Sequence, residues 1–288
     1  VAYESFSKAQ ELDKRGKLDA FLSKHYIILA NELQKQGQGF FKNGKYADAF
    51  KSFDYALNIS QNKLLKVKAD TGLFYNAAVA AYESEKWETA IQYLDSLHGL
   101  DYSVNATHLL HDALMQEGDT LTAREKLVEG LQKYDSDEEI VLLLADLDYK
   151  LGRTEEAVAT LDTAAAIDSS NYVFPYTRGL IYQKQEEYRK AIESFEKALE
   201  LSPGNHKVIT NIGLCYYNTG ALIDEKARTI TNNQDYLLEK EKSRIAFNNA
   251  ITWLEKARSQ EPDNKEVNQK LYQLYRFLGM KEKAKEME

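Results

Sequence analysis

An alanine returns along this chain at a near-constant interval: Ala90, Ala123, Ala157 and Ala191 are separated by 33, 34 and 34 residues. Four residues after each stands a large apolar side chain, Leu94, Leu127, Leu161 and Phe195, and that spacing puts each pair on one face of a helix. The pairing continues outward as Ala49 with Phe53, Ala250 with Leu254 and Ala2 with Phe6, and Ala284 closes the series. Self-similarity at such a period marks stacked supersecondary units that bury a continuous core only together. Gly44, Gly118, Gly152 and Gly279 each stand five residues before one of these alanines, and Gly220 takes the same place in the sixth unit. A residue free to adopt positive φ at that point ends the preceding helix. With 3 Pro and 14 Gly in 288 residues, helix is permitted over most of the length.

The period is plainest over 176–205, YTRGLIYQKQEEYRKAIESFEKALELSPGN. Gly179, Tyr182, Tyr188, Ala191, Phe195, Ala198 and Pro203 make this segment resemble the tetratricopeptide repeat. The resemblance implies an all-α, right-handed α-solenoid of helix-turn-helix repeats, the recurring alanine lying where the two helices of a repeat touch most closely. In that register the repeats fall at 30–63, 71–104, 104–137, 138–171, 172–205, 206–264 and 265–288, in a single solenoid over 1–288. AYESFSKAQEL at 2–12 matches AIESFEKALEL at 191–201, so 1–16 reads as the second helix of a truncated repeat and the chain as a processed or trimmed product. KEKAKEME at the other end reads as a polar cap.

Two insertions interrupt the period. NKLLKVK, near 62–70, is expected to extend a helix locally. Twenty-five residues at about 221–245 lengthen the sixth repeat, with no Pro or Gly among them. They are expected to form a longer hairpin: a helix over 207–230, a turn at TNNQD, and a helix from Tyr236 to Gln260 capped by Asp235. Leu222, Ile223, Ala227 and Ile230 would zip against Tyr236, Leu237, Leu238 and Ile245. About 11 extra residues per arm would project roughly 16 Å.

A net charge of -8, from 37 Lys+Arg against 45 Asp+Glu, repels phosphate backbones, so nucleic acid is not an expected partner. Apolar runs such as 140–145 fall far short of the roughly 20 residues that cross a bilayer. The single Cys215 has no partner for a disulfide or thiolate metal site. His108, His111 and Asp112 place three possible metal ligands within a turn, but no further His or Cys lies nearby in sequence, and they read as ordinary polar groups. No Walker loop, dinucleotide glycine cluster, HExxH or GxSxG is present. Catalysis and cofactors are not expected.

In the family the first helices line a groove that holds a peptide, so the resemblance implies a non-catalytic scaffold or adaptor that binds a protein or peptide. It places Gln34, Gln38, Phe41, Tyr75, Tyr82, His108, Asp112 and Met115 in that lining, followed by Asp146, Tyr149, Tyr176, Gln183, Lys207, Thr210, Tyr217 and Asn218. Tyrosine offers contact area at low entropic cost, and amides pair with peptide backbone. The alternative is that the aromatics only pack between repeats. A subset of the family clamps a carboxylate with Lys, Asn and Arg, and this chain departs from that set. Lys207 and Asn211 fit it, but Tyr176, Leu180 and Glu266 stand where Lys, Asn and Lys belong. A second reading is a peptide or small-ligand receptor that changes curvature on binding. The absent start and a likeness to bacterial cell-envelope repeat proteins suggest a periplasmic or outer-membrane-associated protein; composition fits the cytoplasm equally. The oligomeric state is not legible.

Overall fold

The computed structural model describes residues 2–65, 70–134 and 137–287. Among them are fifteen helices and no strand, in an all-α solenoid of helical hairpins. The helices are α1 (Ala2–Leu12), α2 (Asp19–Lys42), α3 (Tyr46–Ser60), α4 (Thr71–Glu83), α5 (Trp87–Gly99), α6 (Val104–Gln116), α7 (Thr120–Lys133) and α8 (Glu138–Lys150). They continue as α9 (Thr154–Ile167), α10 (Val173–Lys184), α11 (Tyr188–Leu201), α12 (His206–Ala227), α13 (Asn233–Gln260), α14 (Lys265–Phe277) and α15 (Lys281–Lys285). The chain divides into two compact units, 1–144 and 145–288, with the division inside α8.

In the N-terminal unit the hairpins are α2/α3, α4/α5 and α6/α7. Ala49, Ala90 and Ala123 are fully buried, and so in effect are Phe53, Leu94 and Leu127 one turn later. The small residue lets the backbones close while the large one fills the space beyond it, which gives crystal-like packing density. Gly37 of α2 completes the fit, because a β-carbon there would lie 2.6 Å from Cε1 of Phe53. Gly44 and Gly118 take the left-handed turn that the sequence assigns them, with φ +70° and +80°.

At the start of the chain α2 is longer than the repeat register implies. It begins at Asp19, eleven residues before Ala30. Leu22 and Tyr26 on this extension are buried with Ile59, against Tyr3, Phe6 and Ala9 of α1. The Tyr26 hydroxyl donates to Gln10 Oε1 at 3.1 Å. Helix α2 thus packs on α3 from Leu22 to Gly37 and on α1 with its added N-terminal turns. The expected helical extension at NKLLKVK is corrected for its described part: α3 stops at Ser60, and residues 63–65 are turn. The rest, 66–68, lies outside the described residues.

In the C-terminal unit Ala157, Ala191 and Ala250 are fully buried, and Gly179 faces Phe195 as Gly37 faces Phe53, at 2.5 Å. The sixth hairpin has arms of 22 and 28 residues, but three expectations about it are corrected. Its turn has the expected five residues but falls three positions earlier, at 228–232, and its cap is Asn232, whose side chain accepts from the backbone N–H of Gln234 and Asp235; Asp235 lies inside the helix. Gly220 is not a turn residue but sits buried within α12. The apolar zipper forms only in part: Ala227 is fully buried and Ile223, Ile230 and Tyr236 are half-buried, but Leu222, Leu237, Leu238 and Ile245 are 44%, 56%, 57% and 54% exposed.

Elsewhere the arms meet through small and polar groups. Ser243 Oγ donates to the Gly220 carbonyl at 2.9 Å. Asp224, 4% exposed, is held by Arg228 Nη2 at 2.8 Å and by Lys240 Nζ. Burial opposes its charge, yet the Lys240 and Arg228 hydrogen bonds prevail and hold the carboxyl below its usual range. A buried carboxylate is tolerable on such terms only when paired and hydrogen-bonded.

Candidate polypeptide-binding surface

In the N-terminal unit the first helices α2, α4 and α6 carry the expected lining residues. Three of them converge: Gln38, Phe41 and Tyr75 border a cavity of about 300 Å³, together with Lys42, Phe53, Asn76 and Val79. Phe53 belongs to a second helix and forms the floor, seated there by Gly37. Asn76, Val79 and Lys42 are not among the expected lining residues. Val79 stands four positions after Tyr75 and Lys42 four after Gln38, on the same helix faces, and Asn76 is next to Tyr75.

The aromatic side chains of this surface are braced from behind. Phe41 meets Tyr46 edge-to-face at 5.0 Å, Tyr82 meets Trp87 edge-to-face at 5.2 Å, and Tyr75 lies 5.4 Å from Tyr102. Such pairs stabilise by about 0.5–1.5 kcal/mol beyond area burial, and they fix ring orientation before any ligand arrives. Burial raises the Tyr75 hydroxyl pKa, with Tyr102 adding to it, and raises that of Tyr82, with Asp112 adding to it. Both hydroxyls are therefore neutral donors at physiological pH. Gln34 is half-buried farther toward the start of α2 and Met115 is half-buried on α6.

His108 is less available than its position suggests. Its Nε2 lies 3.1 Å from Asp137 Oδ1 and its Nδ1 lies 3.1 Å from Glu139 Oε2. His111 faces Asp112 instead, at 2.9 Å. The HxxHD residues thus turn to different carboxylates and do not converge on a common point.

In the C-terminal unit the expected residues are largely engaged with one another. Asp146 pairs with Lys150 at 2.6 Å. Lys184 lies over the Tyr149 ring at 5.2 Å and Lys270 over the Tyr217 ring at 4.3 Å. The Tyr217 hydroxyl donates to Gln273 Oε1 at 2.9 Å, and the Tyr176 hydroxyl accepts from Asn211 at 3.2 Å. Gln183 turns inward to hydrogen-bond buried Cys215, whose thiol burial pushes up to about 12. Lys207 is exposed, while Thr210 and Asn218 are half-buried. This surface has cations laid over tyrosine faces, whereas the N-terminal surface has an aromatic cavity with amides and one lysine at its mouth.

Residues 114–172 and 176–205 each match the tetratricopeptide repeat family. Among curated proteins, the TPR repeat-containing protein YpiA of Bacillus subtilis is 24% identical over 168 residues, which is 58% of this chain and 38% of that protein. The match thus spans well under half the length of that relative. Among solved structures, the C-terminal part of a TPR repeat-containing protein from Cytophaga hutchinsonii is similar with a TM-score of 0.60 at 17% identity, covering 88% of this chain and 92% of that one. A tetratricopeptide repeat protein from Parabacteroides merdae has a TM-score of 0.51 at 15% identity, covering 85% and 98%. At these identities the likeness concerns fold alone.

Proposed function

For this chain, a tetratricopeptide-repeat protein, we propose a non-catalytic scaffold that binds a polypeptide on the first-helix surface, with the principal contact in the N-terminal unit. The single observation that carries this reading is the cavity of about 300 Å³ bordered by Phe41, Tyr75, Asn76 and Gln38 over the Phe53 floor. Its size suits one large side chain, its aromatic walls are already braced, and its amides can pair with the peptide backbone beside that side chain. Preorganisation is the mechanism: the helices present fixed anchors, so the ordering cost falls on the flexible partner. The net charge of -8 favours partners other than nucleic acid.

The test is affinity purification with the intact chain as bait, repeated with Tyr75 and Tyr82 changed to Ala and, separately, with Tyr149 and Tyr217 changed to Ala. Partners lost with the first pair and retained with the second support the reading. Partners that survive both pairs contradict it.

A further inference from the structure

The side chains of α12 that face α11 recur at helical spacing. Val208, Ile212 and Cys215 are fully buried in the core they share with Ala191, Ile192 and Phe195. Thr219, Leu222 and Ile223 continue the same stripe at the next three- and four-residue steps. Helix α11 begins at Tyr188, so only the turn before it and its first residues stand beside the upper part of the stripe. There a cleft of about 400 Å³ opens, walled by Tyr188, Thr219, Leu222 and Ile223, and Leu222 is 44% exposed. The apolar interface that joins two hairpins therefore runs on, uncovered, past the edge of one of them.

The rim carries an unbalanced charge. Lys190 pairs with Glu187, and Arg189 with Glu193 at 3.3 Å. Glu186, in the turn at the mouth of the cleft, is exposed and forms no ion pair among the described residues. A partner that covers the cleft gains by bringing a cation to Glu186. The face of α12 that borders the cleft, from Thr219 to Ile223, is about 6 Å long, one helical turn. Its wall is helix, with backbone groups already hydrogen-bonded within α12, so it offers no sheet edge for an added strand.

We propose that this cleft is a second docking site, outside the first-helix surface, for a short amphipathic helix of a partner protein. The helix sets two apolar side chains one turn apart on Leu222, Ile223 and Tyr188, and places a Lys or Arg against Glu186. This site is independent of the scaffold function proposed above and can fail or succeed separately.

A phage-displayed library of helical peptides, selected against the full chain, tests it, with selected sequences synthesised and titrated by calorimetry. The expected peptides carry apolar residues three or four apart and a flanking Lys or Arg. Leu222→Asp and Glu186→Lys should each weaken binding by about tenfold or more, and changing the peptide cation to Glu should restore binding to Glu186→Lys. Tyr75→Ala and Tyr217→Ala should leave it unchanged. Leu222 and Glu186 are exposed, so an unaltered thermal transition will show that both variants fold. The proposal is overturned if no peptide is selected, or if the selected peptides lose binding to Tyr75→Ala but not to Leu222→Asp. It is also overturned if gel filtration shows Leu222→Asp converting a dimer to a monomer, because a second copy then covers the cleft.

Discussion

A β-carbon on Gly220 would stand 2.6 Å from Cδ1 of Phe247. The two residues repeat, one heptad farther along the sixth hairpin, the close approach of Gly213 and Leu254, where the corresponding distance is 2.8 Å. The inserted residues thus extend the packing rule of the repeat beyond the repeat itself. Gly220→Ala should therefore destabilise the chain by about 1–3 kcal/mol through overpacking, although the same change at an exposed helical position gains about 1 kcal/mol. Phe247→Leu should relieve the clash, so the double variant should recover part of the loss. Urea denaturation of the single and double variants measures this, and additive losses would count against it.

The period was legible because it rests on residue types that only one environment admits: the buried alanines, the large partners four residues on, and the turn glycines. The inside of the long hairpin was not, because its apolar residues mislead. Leu222, Leu237, Leu238 and Ile245 look like an interface by composition, yet the interface is Gly220, Asp224, Ser243 and Phe247. The usable signal was the pairing of Gly213 and Gly220 with Leu254 and Phe247, seven residues apart on each arm. The extension of α2 was also readable, from Leu22, Tyr26, Leu29 and Leu33 at helical spacing. The cavity was only half legible, since its floor comes from a second helix and a column of first-helix positions cannot contain it. The hydrogen bonds that engage Tyr176, Gln183 and Tyr217 depend on side-chain directions between helices, which spacing does not encode.

The turn that closes each hairpin separates glycine from its substitutes. Gly44 and Glu85 occupy equivalent turns with φ +70° and +57°, and only glycine reaches this region without steric cost. Glu85→Gly is expected to stabilise by about 0.5–1 kcal/mol and Gly44→Ala to destabilise by about 1 kcal/mol. A calorimetric scan of each variant should show the two transitions moving in opposite directions.

Acid should weaken the fold through His98. Its side chain is 1% exposed, with Nδ1 at 2.8 Å from Thr107 Oγ1 and Nε2 at 3.0 Å from Glu129 Oε2. Burial lowers its pKa below 6.5, ahead of the opposing hydrogen bond to the Glu129 carboxylate. Below pH about 6.5 the unfolded chain takes up this proton first, so stability is full above that pH and falls as pH drops beneath it. The urea midpoint should be lower at pH 5.5 than at 7.5, and His98→Gln should flatten the difference. An undiminished difference in the variant would assign the effect elsewhere.

The central claim is that a polypeptide partner seats in the cavity over Phe53. Hydrogen–deuterium exchange of the intact chain, with and without a purified partner, reads this most directly. Slowed exchange confined chiefly to peptides covering 38–42 and 75–79 is the predicted result. Binding that leaves those segments unchanged while protecting others would contradict it.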